Sequence, residues 1–515
     1  MAQHVLAIDL GSTGVKVAVV DQDGTVRSSA GEVLPLLFTD DGGVEQDPNG
    51  WWDAIGRCAR HAVERSGLER SGIALVAVTS QYTSTVPVAA DGTPVGNTIM
   101  WMDGRGHRHN RSRRGIDVLE RWVEIHGSAP GGNDDIGHVD FIRVEHPDVY
   151  DAAFAFVEPM DHIAARLTGR VTATQNTMFP MLSVDNRVWG LTEYSEELLA
   201  LSGMDVTKLP PLVPLGEPRG PILAHAADHL GVSSGAVVMG ATIDSVTSAV
   251  GTGAINADAC GLIIGTTSVM ATHLSSKCHD IEHLLTTAPS PLPDRWFLVA
   301  ENGIGGKALD VFVSNMVFAS DGLGRSLSPD SFDEVLDAAA EVGAGANGVL
   351  FLPWLVGSMA PGNNRKARGG FVNIGLSTTR SDMARAVLEG VAMNAAWLLP
   401  HFSALADRHY AEVSLGGGGA GSSLWGQIVA DSLGVRVRRL ANPRTTNAHG
   451  AALLALAEAG RFRIDDLPDL LTVEQVHEAD PFAHVLMARL TSALIDFHQR
   501  TATFYGLLDT KDLRS

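Results

Sequence analysis

The sequence predicts an α/β protein made of two related halves. An apolar strand, a short turn rich in glycine and hydroxyl side chains, and a second apolar strand occur at residues 5–20. The same pattern returns at residues 261–270. The chain has 515 residues, which is more than a single hydrophobic core usually holds. We therefore expect two domains, residues 1–252 and 253–515, with the boundary at Thr252-Gly253.

Each of the two turns brings backbone amide groups and hydroxyls together at one tip. The first reads Gly-Ser-Thr-Gly at residues 11–14, and the second reads Gly-Thr-Thr-Ser at residues 265–268. A concave array of N–H donors binds phosphate groups. A third, glycine-rich turn at residues 415–423 precedes a predicted helix, and a nucleotide's remaining part fits against such bare backbone. Two phosphate-binding turns on two halves predict a polyphosphate held between them, and therefore an ATP-dependent phosphotransferase.

The apolar pattern predicts the other elements. Residues 85–89 are expected to be the hairpin partner of the strand at 73–78, and a helix over 151–169 is expected to end at Gly169. The arginine- and histidine-rich segment 103–115 favours a solvated helix face. Further strands are predicted at 5–10, 15–20, from 26 onward, 235–240, 296–300, 348–351, 412–415 and 435–438, and further helices at 52–65, 381–400, 422–433 and 447–459.

Composition and charge limit the class of protein and its partners. The net charge of −21 at pH 7 leaves no basic excess to neutralise a nucleic-acid backbone, so we expect no nucleic-acid partner. No apolar run reaches the about 18 residues that a membrane helix needs, and Met1 leads directly into a core strand rather than a signal peptide. The three cysteines form no CxxC motif, which favours a reducing compartment. We expect a cytoplasmic protein.

Two carboxylates end apolar strands and are candidates for phosphoryl-transfer chemistry. Asp9 lies just before the first turn, where it could bind Mg²⁺ through water, although a turn-capping aspartate would fit the same position. Asp244 follows the strand at 235–240 and could take the proton of an attacking hydroxyl. A helix N-cap explains Asp244 equally well at this point.

Taken together, several segments resemble the FGGY family of carbohydrate kinases, and most closely its xylulokinase-like branch. The ordered set covers roughly residues 4–460 and is specific as a set, although no single motif is decisive. The matching stretches are residues 9–16, 45–52, 100–105, 161–169, 265–268, 357–361 with 368–369, 385–392, and 416–423 with 449–452.

The resemblance implies two ribonuclease-H-like, actin-like ATPase domains with a ligand cleft between them, ATP and Mg²⁺ as cofactors, and Asp244 as the catalytic base. The implied metal-side carboxylate is Asp9. The implied ATP- and phosphate-binding residues are Gly11, Ser12, Thr13, Lys16, Gly265, Thr266, Thr267, Gly417, Gly418, Ala420 and Ser423. The implied substrate-binding residues are Gln81, Tyr82, Thr83, Trp101, Asp103, Arg105, Asp244 and Ser245.

The sequence departs from the family on the sugar side. A histidine usual in xylulokinase-like chains is replaced by Thr83, the Asn or Gln usual after the base is Ser245, and a usual lysine is Met160. Loss of long polar groups removes hydrogen bonds that specify a substrate. Tyr82 or Trp101 could fill the vacated space, or it could stay open. We therefore expect an active kinase with a shifted preference among ketoses and polyols.

The resemblance implies phosphorylation of a sugar or polyol, such as xylulose or a related C4–C6 polyol, at a primary hydroxyl. The alternative is a non-catalytic actin-like scaffold or filament protein, because a fold does not determine a function. The position of Asp244, and the absence of a helix-turn-helix before Val5, favour the kinase over a scaffold or a regulator. A homodimer is compatible with the sequence.

Overall fold

The structure is a computed structural model that describes residues 4–110, 115–319, 321 and 326–507. Its strands are β1 (His4–Gly11), β2 (Gly14–Val20), β3 (Val26–Val33), β4 (Leu37–Phe38), β5 (Val44–Gln46), β6 (Ile73–Ser80), β7 (Val86–Val88), β8 (Thr98–Ile99), β9 (Ala155–Val157), β10 (Gly220–Pro221), β11 (Val237–Ile243), β12 (Gly261–Ile264), β13 (Thr267–Leu274), β14 (His279–Asp280), β15 (Leu285–Pro289), β16 (Trp296–Ile304), β17 (Leu350–Leu352), β18 (Gly370–Val372), β19 (Glu412–Gly416), β20 (Arg436–Leu440) and β21 (Val473–His477).

The helices connect and cover these strands. They are α1 (Pro48–Ser66), α2 (Ile116–Ile125), α3 (Asp135–Glu145), α4 (Pro147–Ala152), α5 (Pro159–Thr168), α6 (Glu196–Ser202), α7 (Ala224–Leu230), α8 (Asp244–Gly251), α9 (Gly306–Phe312), α10 (Ser331–Ala340), α11 (Arg380–Ala406), α12 (Ser423–Leu433), α13 (Thr446–Glu458), α14 (Pro481–Thr501) and α15 (Phe504–Leu507). Within the described ranges, no helix is both long enough and apolar enough to span a bilayer.

The first sheet has six strands in the order β10-β11-β6-β1-β2-β3. Strands β1 and β2 form the predicted antiparallel hairpin, while β1, β6 and β11 run parallel. The carboxyl ends of parallel strands meet at one edge of a sheet, where ligands bind in open α/β sheets. Asp9 near the end of β1, Gln81 after β6 and Asp244 after β11 therefore lie along the same edge.

The second sheet has eight strands in the order β14-β15-β16-β13-β12-β19-β20-β21. It repeats the local pattern of the first, because β12 and β13 form an antiparallel hairpin and β12 runs parallel to β19. The turn at residues 265–266 and the glycine-rich loop after β19 consequently share one edge. All strands of the first sheet precede Thr252 and all strands of the second follow Gly253, and we propose this junction as the domain boundary.

Helices α8 and α13 join the two halves of the chain. Ala448 and Ala451 of α13 pack in one cluster with Val5 and Ala7 of β1, although α13 follows the second sheet in sequence. A Cβ atom on Gly450 would lie 1.9 Å from the carbonyl oxygen of Thr247 in α8. Only glycine allows the two helix backbones to approach this closely, and the helix pair therefore ties one half to the other.

Three local predictions were wrong or incomplete. Residues 86–88 pair with β9 instead of β6. The helix predicted over 151–169 is interrupted, because β9 intervenes and α5 starts only at Pro159; it does end at Gly169, which has a left-handed φ of 72°. In segment 103–115, Asp103 and Arg105 are buried rather than solvated, and residues 111–114 lie outside the described residues.

Candidate active site

The strand edges that face each other enclose a cleft of about 530 Å³. Sixteen of the residues predicted for the site line it. They are Asp9, Gly11, Ser12, Thr13, Lys16, Gln81, Tyr82, Thr83, Trp101, Asp244, Ser245, Gly265, Thr266, Thr267, Gly417 and Gly418. The cleft therefore brings together the two predicted phosphate turns, the glycine-rich loop and the acceptor loop (residues 81–85).

Four predicted site residues lie outside the cleft lining. Ala420, within the glycine-rich loop, is fully buried, and Ser423 is an exposed residue at the start of α12. Arg105 is ion-paired with Asp103 at 2.8 Å and with Glu45 at 2.6 Å. Asp103 and Arg105 are therefore engaged with each other and with Glu45 outside the cleft lining, and their predicted role in binding substrate stays a prediction.

The side of the cleft predicted to bind the nucleotide is built mainly from backbone. Gly265 N–H donates to the Thr267 carbonyl at 2.9 Å, which closes the second turn tightly. Gly417 has φ 82° and ψ 174°, and a Cβ atom there would lie 2.6 Å from the carbonyl oxygen of Ile264. This backbone conformation is essentially restricted to glycine. The glycine-rich loop therefore comes directly against the end of β12.

Asp9 lies two residues before the first predicted phosphate turn and is 4% exposed. Burial raises its pKa, while Lys16 and a hydrogen bond from Asn447 act to lower it. The side-chain partner comes from the second half of the chain, which does not fit a turn-capping role. The described residues contain no cluster of three or more His, Cys, Asp or Glu able to hold a metal alone. Asp9 with phosphate oxygens fits Mg²⁺, which is usually held by one or two carboxylates plus substrate phosphates.

Asp244 is the first residue of α8 and lines the cleft. Asp244 follows the N-cap position, Ile243, and its carboxyl group accepts hydrogen bonds from the backbone N–H and the hydroxyl of Ser245 in the first turn of the helix. The base role and the capping alternative for Asp244 therefore both stay predictions. Burial raises the pKa of Asp244 to about 8, with further contributions from Asp9 and Glu301. A carboxyl group with this pKa changes protonation state near neutral pH, as a general base must.

The acceptor loop places two side chains with specific hydrogen-bonding needs in the cleft. The Tyr82 hydroxyl donates to Glu301 Oε1 at 2.7 Å, and burial together with this carboxylate raises the Tyr82 pKa far above its usual value. Tyr82 therefore stays protonated. Gln81 is 4% exposed, and its Oε1 has no hydrogen-bond partner among the described residues. Tyr82 and Trp101 both line the cleft, and Tyr82 brings a hydroxyl group that is paired with a carboxylate.

Thr83 is held in a left-handed conformation from behind the cleft. Its φ is 59°, which is uncommon for a β-branched residue. Its N–H donates to Glu158 Oε1 at 3.0 Å, and the next N–H, of Ser84, donates to Glu158 Oε2 at 3.3 Å. Burial and the nearby Asp135 raise the pKa of Glu158. This carboxyl group sets the direction in which Thr83 faces.

The sequence analysis missed Glu301, Asn447 and Glu158. Glu301 carried a signal, because it is a charged residue in an otherwise apolar strand, at the end of Phe-Leu-Val-Ala. Asn447 lies at the start of α13, next to the matched stretch 449–452. Glu158 precedes Pro159 at the start of a helix, where an acidic residue is ordinary, and nothing in the sequence indicates its contact with residue 83.

The fold defines the class: two sheet-containing, actin-like ATPase domains with a cleft between them. Within that class, the chain belongs to the FGGY family of carbohydrate kinases. The model of the family's N-terminal domain matches residues 4–251, and that of its C-terminal domain matches residues 260–459. The protein is therefore a carbohydrate kinase, and kinases of this family use ATP as the phosphate donor.

Relatives span several substrates. A xylulose kinase of Staphylococcus epidermidis is 25% identical over 96% of this chain and 97% of its own length. A Bacillus subtilis gluconokinase is 24% identical over 92% and 91%, and a Methylibium petroleiphilum glycerol kinase is 27% identical over 88% and 90%. The structures of gluconate kinase and xylulose kinase from Lactobacillus acidophilus both superpose with a TM-score of 0.84 at 20% identity; they cover 99% and 98% of this chain and all of theirs. Their names differ in acceptor, and the fold is common to them.

Proposed function

We propose that this kinase transfers the γ-phosphoryl group of ATP to a primary hydroxyl of a ketose, such as xylulose, or of a related C4–C6 polyol. The observation that carries the proposal is the position of Asp244. Its carboxyl group lines the same cleft as the two phosphate turns and the acceptor loop. An acceptor hydroxyl lying between the loop and the turns would therefore be next to a base.

The chemistry requires a single displacement. The acceptor oxygen forms a bond to the γ-phosphorus, and the bond from that phosphorus to the β–γ bridging oxygen breaks. The hydroxyl proton passes to the Asp244 carboxylate, and ADP leaves with the electron pair. The backbone groups of residues 11–13 and 265–267 hold the phosphates in line with the attack. Mg²⁺ beside Asp9 would neutralise phosphate charge.

Asp244, Asp9 and Glu301 make the cleft acidic, and the nucleotide brings further negative charge. Lys16 lies at the first turn and acts on Asp9, so it is placed to offset part of this charge. The rest must come from the exposed Arg365 and Arg444 of the lining, from the metal and from backbone N–H donors, which are stronger toward ions in a cleft that excludes water. We therefore propose that turnover depends on Mg²⁺ as well as ATP.

A panel assay tests the function. Purified enzyme with MgATP is offered C4–C6 ketoses, polyols and aldonates one at a time, and ADP release is measured by a coupled assay. We expect one group of neutral acceptors to raise ADP release far above the rate without acceptor, and mass spectrometry to find a phosphate ester on a primary carbon. ADP release that no acceptor raises would overturn the proposal.

The non-catalytic scaffold is not favoured, because the family comparisons are with kinases and the base lies in the cleft. We further propose that the enzyme acts in the cytoplasm, where its donor ATP is found and where Cys58, Cys260 and Cys278, all free, stay reduced. Homodimerisation stays a prediction, and the mass of the protein in solution tests it.

A further inference from the structure

A hydrogen bond crosses the cleft between the two halves of the molecule. Tyr82 belongs to the acceptor loop that follows β6 in the first sheet, and Glu301 belongs to β16 in the second. The Tyr82 hydroxyl donates to Glu301 Oε1 at 2.7 Å. Both residues line the cleft that also contains Asp244. The pair therefore lies next to the base, where an acceptor molecule has to bind.

Glu301 is an unusual residue for its position in the strand. Residues 297–300, which precede it in β16, are buried apolar residues. A carboxylate at the end of such a run is costly unless it gains hydrogen bonds. An ionised carboxylate accepts up to about four hydrogen bonds. Among the described residues, the Tyr82 hydroxyl donates a hydrogen bond to Glu301, and it reaches only one of the two carboxylate oxygens, Oε1.

A second acceptor atom lies in the same wall of the cleft. Gln81 Oε1 is buried and has no partner among the described residues, while its amide nitrogen faces the Met100 sulfur at 4.0 Å. A buried carbonyl oxygen without a donor costs about 1–3 kcal/mol in general. The acceptor side therefore presents oxygen atoms that lack donors, and a ligand rich in hydroxyl donors would satisfy them.

We propose that Glu301, oriented by Tyr82, binds the hydroxyl chain of the acceptor and makes the cleft select neutral polyhydroxy compounds over aldonates. The inference rests on the proposed function and names the acceptor class at that site. Hydroxyls donate to the Glu301 carboxylate and to Gln81. The carboxylate of an aldonate brings no donor and would lie in a cleft that already holds Asp9, Asp244 and Glu301, where like charges repel.

A positively charged residue in the cleft lining could produce the opposite selectivity, a preference for aldonates. Arg365 is exposed at the cleft and could pair with the carboxylate of an aldonate. The proposal holds that three carboxylates and the unsatisfied Gln81 oxygen outweigh the exposed cations of the lining, which are Arg365, Arg444 and Lys16, because an exposed ion pair contributes little. A wild-type preference for aldonates would show that Arg365 decides the acceptor instead.

The experiment compares wild type, Glu301→Gln and Tyr82→Phe on neutral C5 ketoses and polyols and on gluconate. We expect wild type to favour the best neutral acceptor over gluconate by more than about 100-fold in kcat/KM. Glu301→Gln should lower kcat/KM for the neutral acceptor by about tenfold to 100-fold, mainly through KM, and should narrow the preference over gluconate at least tenfold. Tyr82→Phe should also lower kcat/KM for the neutral acceptor and narrow the preference over gluconate, by smaller factors than Glu301→Gln.

Glu341→Gln, an exposed carboxylate at the end of α10, is the matched control and should behave as wild type. ADP affinity and melting temperature show whether each variant folds. If Glu301→Gln does not fold, Tyr82→Phe and the wild-type panel decide. A Glu301→Gln variant that keeps both KM and acceptor ranking overturns the proposal, and so does a wild type that prefers gluconate.

Acceptor binding to the ADP complex, measured by calorimetry, separates the two hypotheses. If wild type binds neutral polyols and Glu301→Gln loses that binding while no acceptor is phosphorylated, the acceptor-site proposal stands and the proposed function fails. If a sugar is phosphorylated but Glu301→Gln binds it unchanged, the function stands and the acceptor-site proposal fails.

Discussion

The two sides of the cleft are built differently: the predicted nucleotide side is mainly backbone, and the predicted acceptor side is mainly side chains. The nucleotide side consists of glycine and hydroxyl turns at strand ends, and Gly417 illustrates how closely its backbone packs. The acceptor side consists of side chains whose positions depend on distant residues: Tyr82 on Glu301, and Thr83 on Glu158. A backbone site serves any nucleoside triphosphate, whereas a side-chain site can be altered one residue at a time.

The largest expected effect is at the base, where the two sides meet. Asp244→Asn keeps the side-chain volume but cannot accept the proton, so kcat should fall by about 10²–10⁴-fold. ADP affinity should be nearly unchanged, because the phosphate turns are untouched. Steady-state kinetics with the best acceptor and calorimetry with ADP measure both quantities. Near-wild-type turnover would remove Asp244 from the mechanism.

The next effect isolates the nucleotide side. Gly417→Ala places a Cβ atom against the Ile264 carbonyl in a backbone conformation that favours glycine. Strain and overlap of about 1–3 kcal/mol each should displace the loop and weaken ATP binding by tenfold or more. The acceptor ranking should stay the same. Gly421→Ala is the control, because its Cβ position is open and its φ is not positive; equal losses in both variants would contradict the expectation.

A smaller effect is expected on the acceptor side, where substitutions should change the acceptor ranking and leave ATP binding unchanged. Thr83→His, alone or with Ser245→Asn, restores the longer polar groups usual in xylulokinase-like chains. Relative kcat/KM among ketoses and polyols should shift by about 1–3 kcal/mol, the contribution of one or two buried hydrogen bonds, while KM for ATP is retained. The same acceptor panel measures the shift. An unchanged ranking, or D-xylulose already preferred by orders of magnitude in wild type, would show that these positions do not set specificity.

The smallest effect is a displacement of the pH profile. The Asp244 pKa is raised to about 8, so the carboxylate is lost as the pH falls below that value. kcat/KM for the acceptor should therefore decrease on the acidic side, by about tenfold per pH unit. Glu301→Gln removes one cause of the raised pKa, and its acidic limb should move to lower pH. A limb at the same pH in both proteins would mean that Glu301 does not act on the base.

Sequence patterns predicted the two turn-bearing hairpins well for a physical reason. A phosphate turn is local: a strand, a glycine and two hydroxyls within a few residues are sufficient, and the hairpins β1–β2 and β12–β13 formed as predicted. The predicted pairing of 73–78 with 85–89 failed, because strand partners depend on tertiary contacts that neighbouring residues do not encode. The solvated face predicted for segment 103–115 was wrong at Asp103 and Arg105 for a similar reason, since their ion pairs with each other and with Glu45 are visible only once the chain is folded.

By itself the sequence determined the family and the α/β fold, through an ordered set of short motifs spread over the chain. It also determined the two glycine and hydroxyl turns and the carboxylate at the end of β11, because each of these is encoded in a short contiguous segment. Only the tertiary structure decided which side chains face the acceptor. Tyr82 and Glu301 are 219 residues apart in sequence, and yet their side chains are hydrogen-bonded. Contacts of this kind arise when two sheets close on a common cleft, and no local pattern in the chain specifies them.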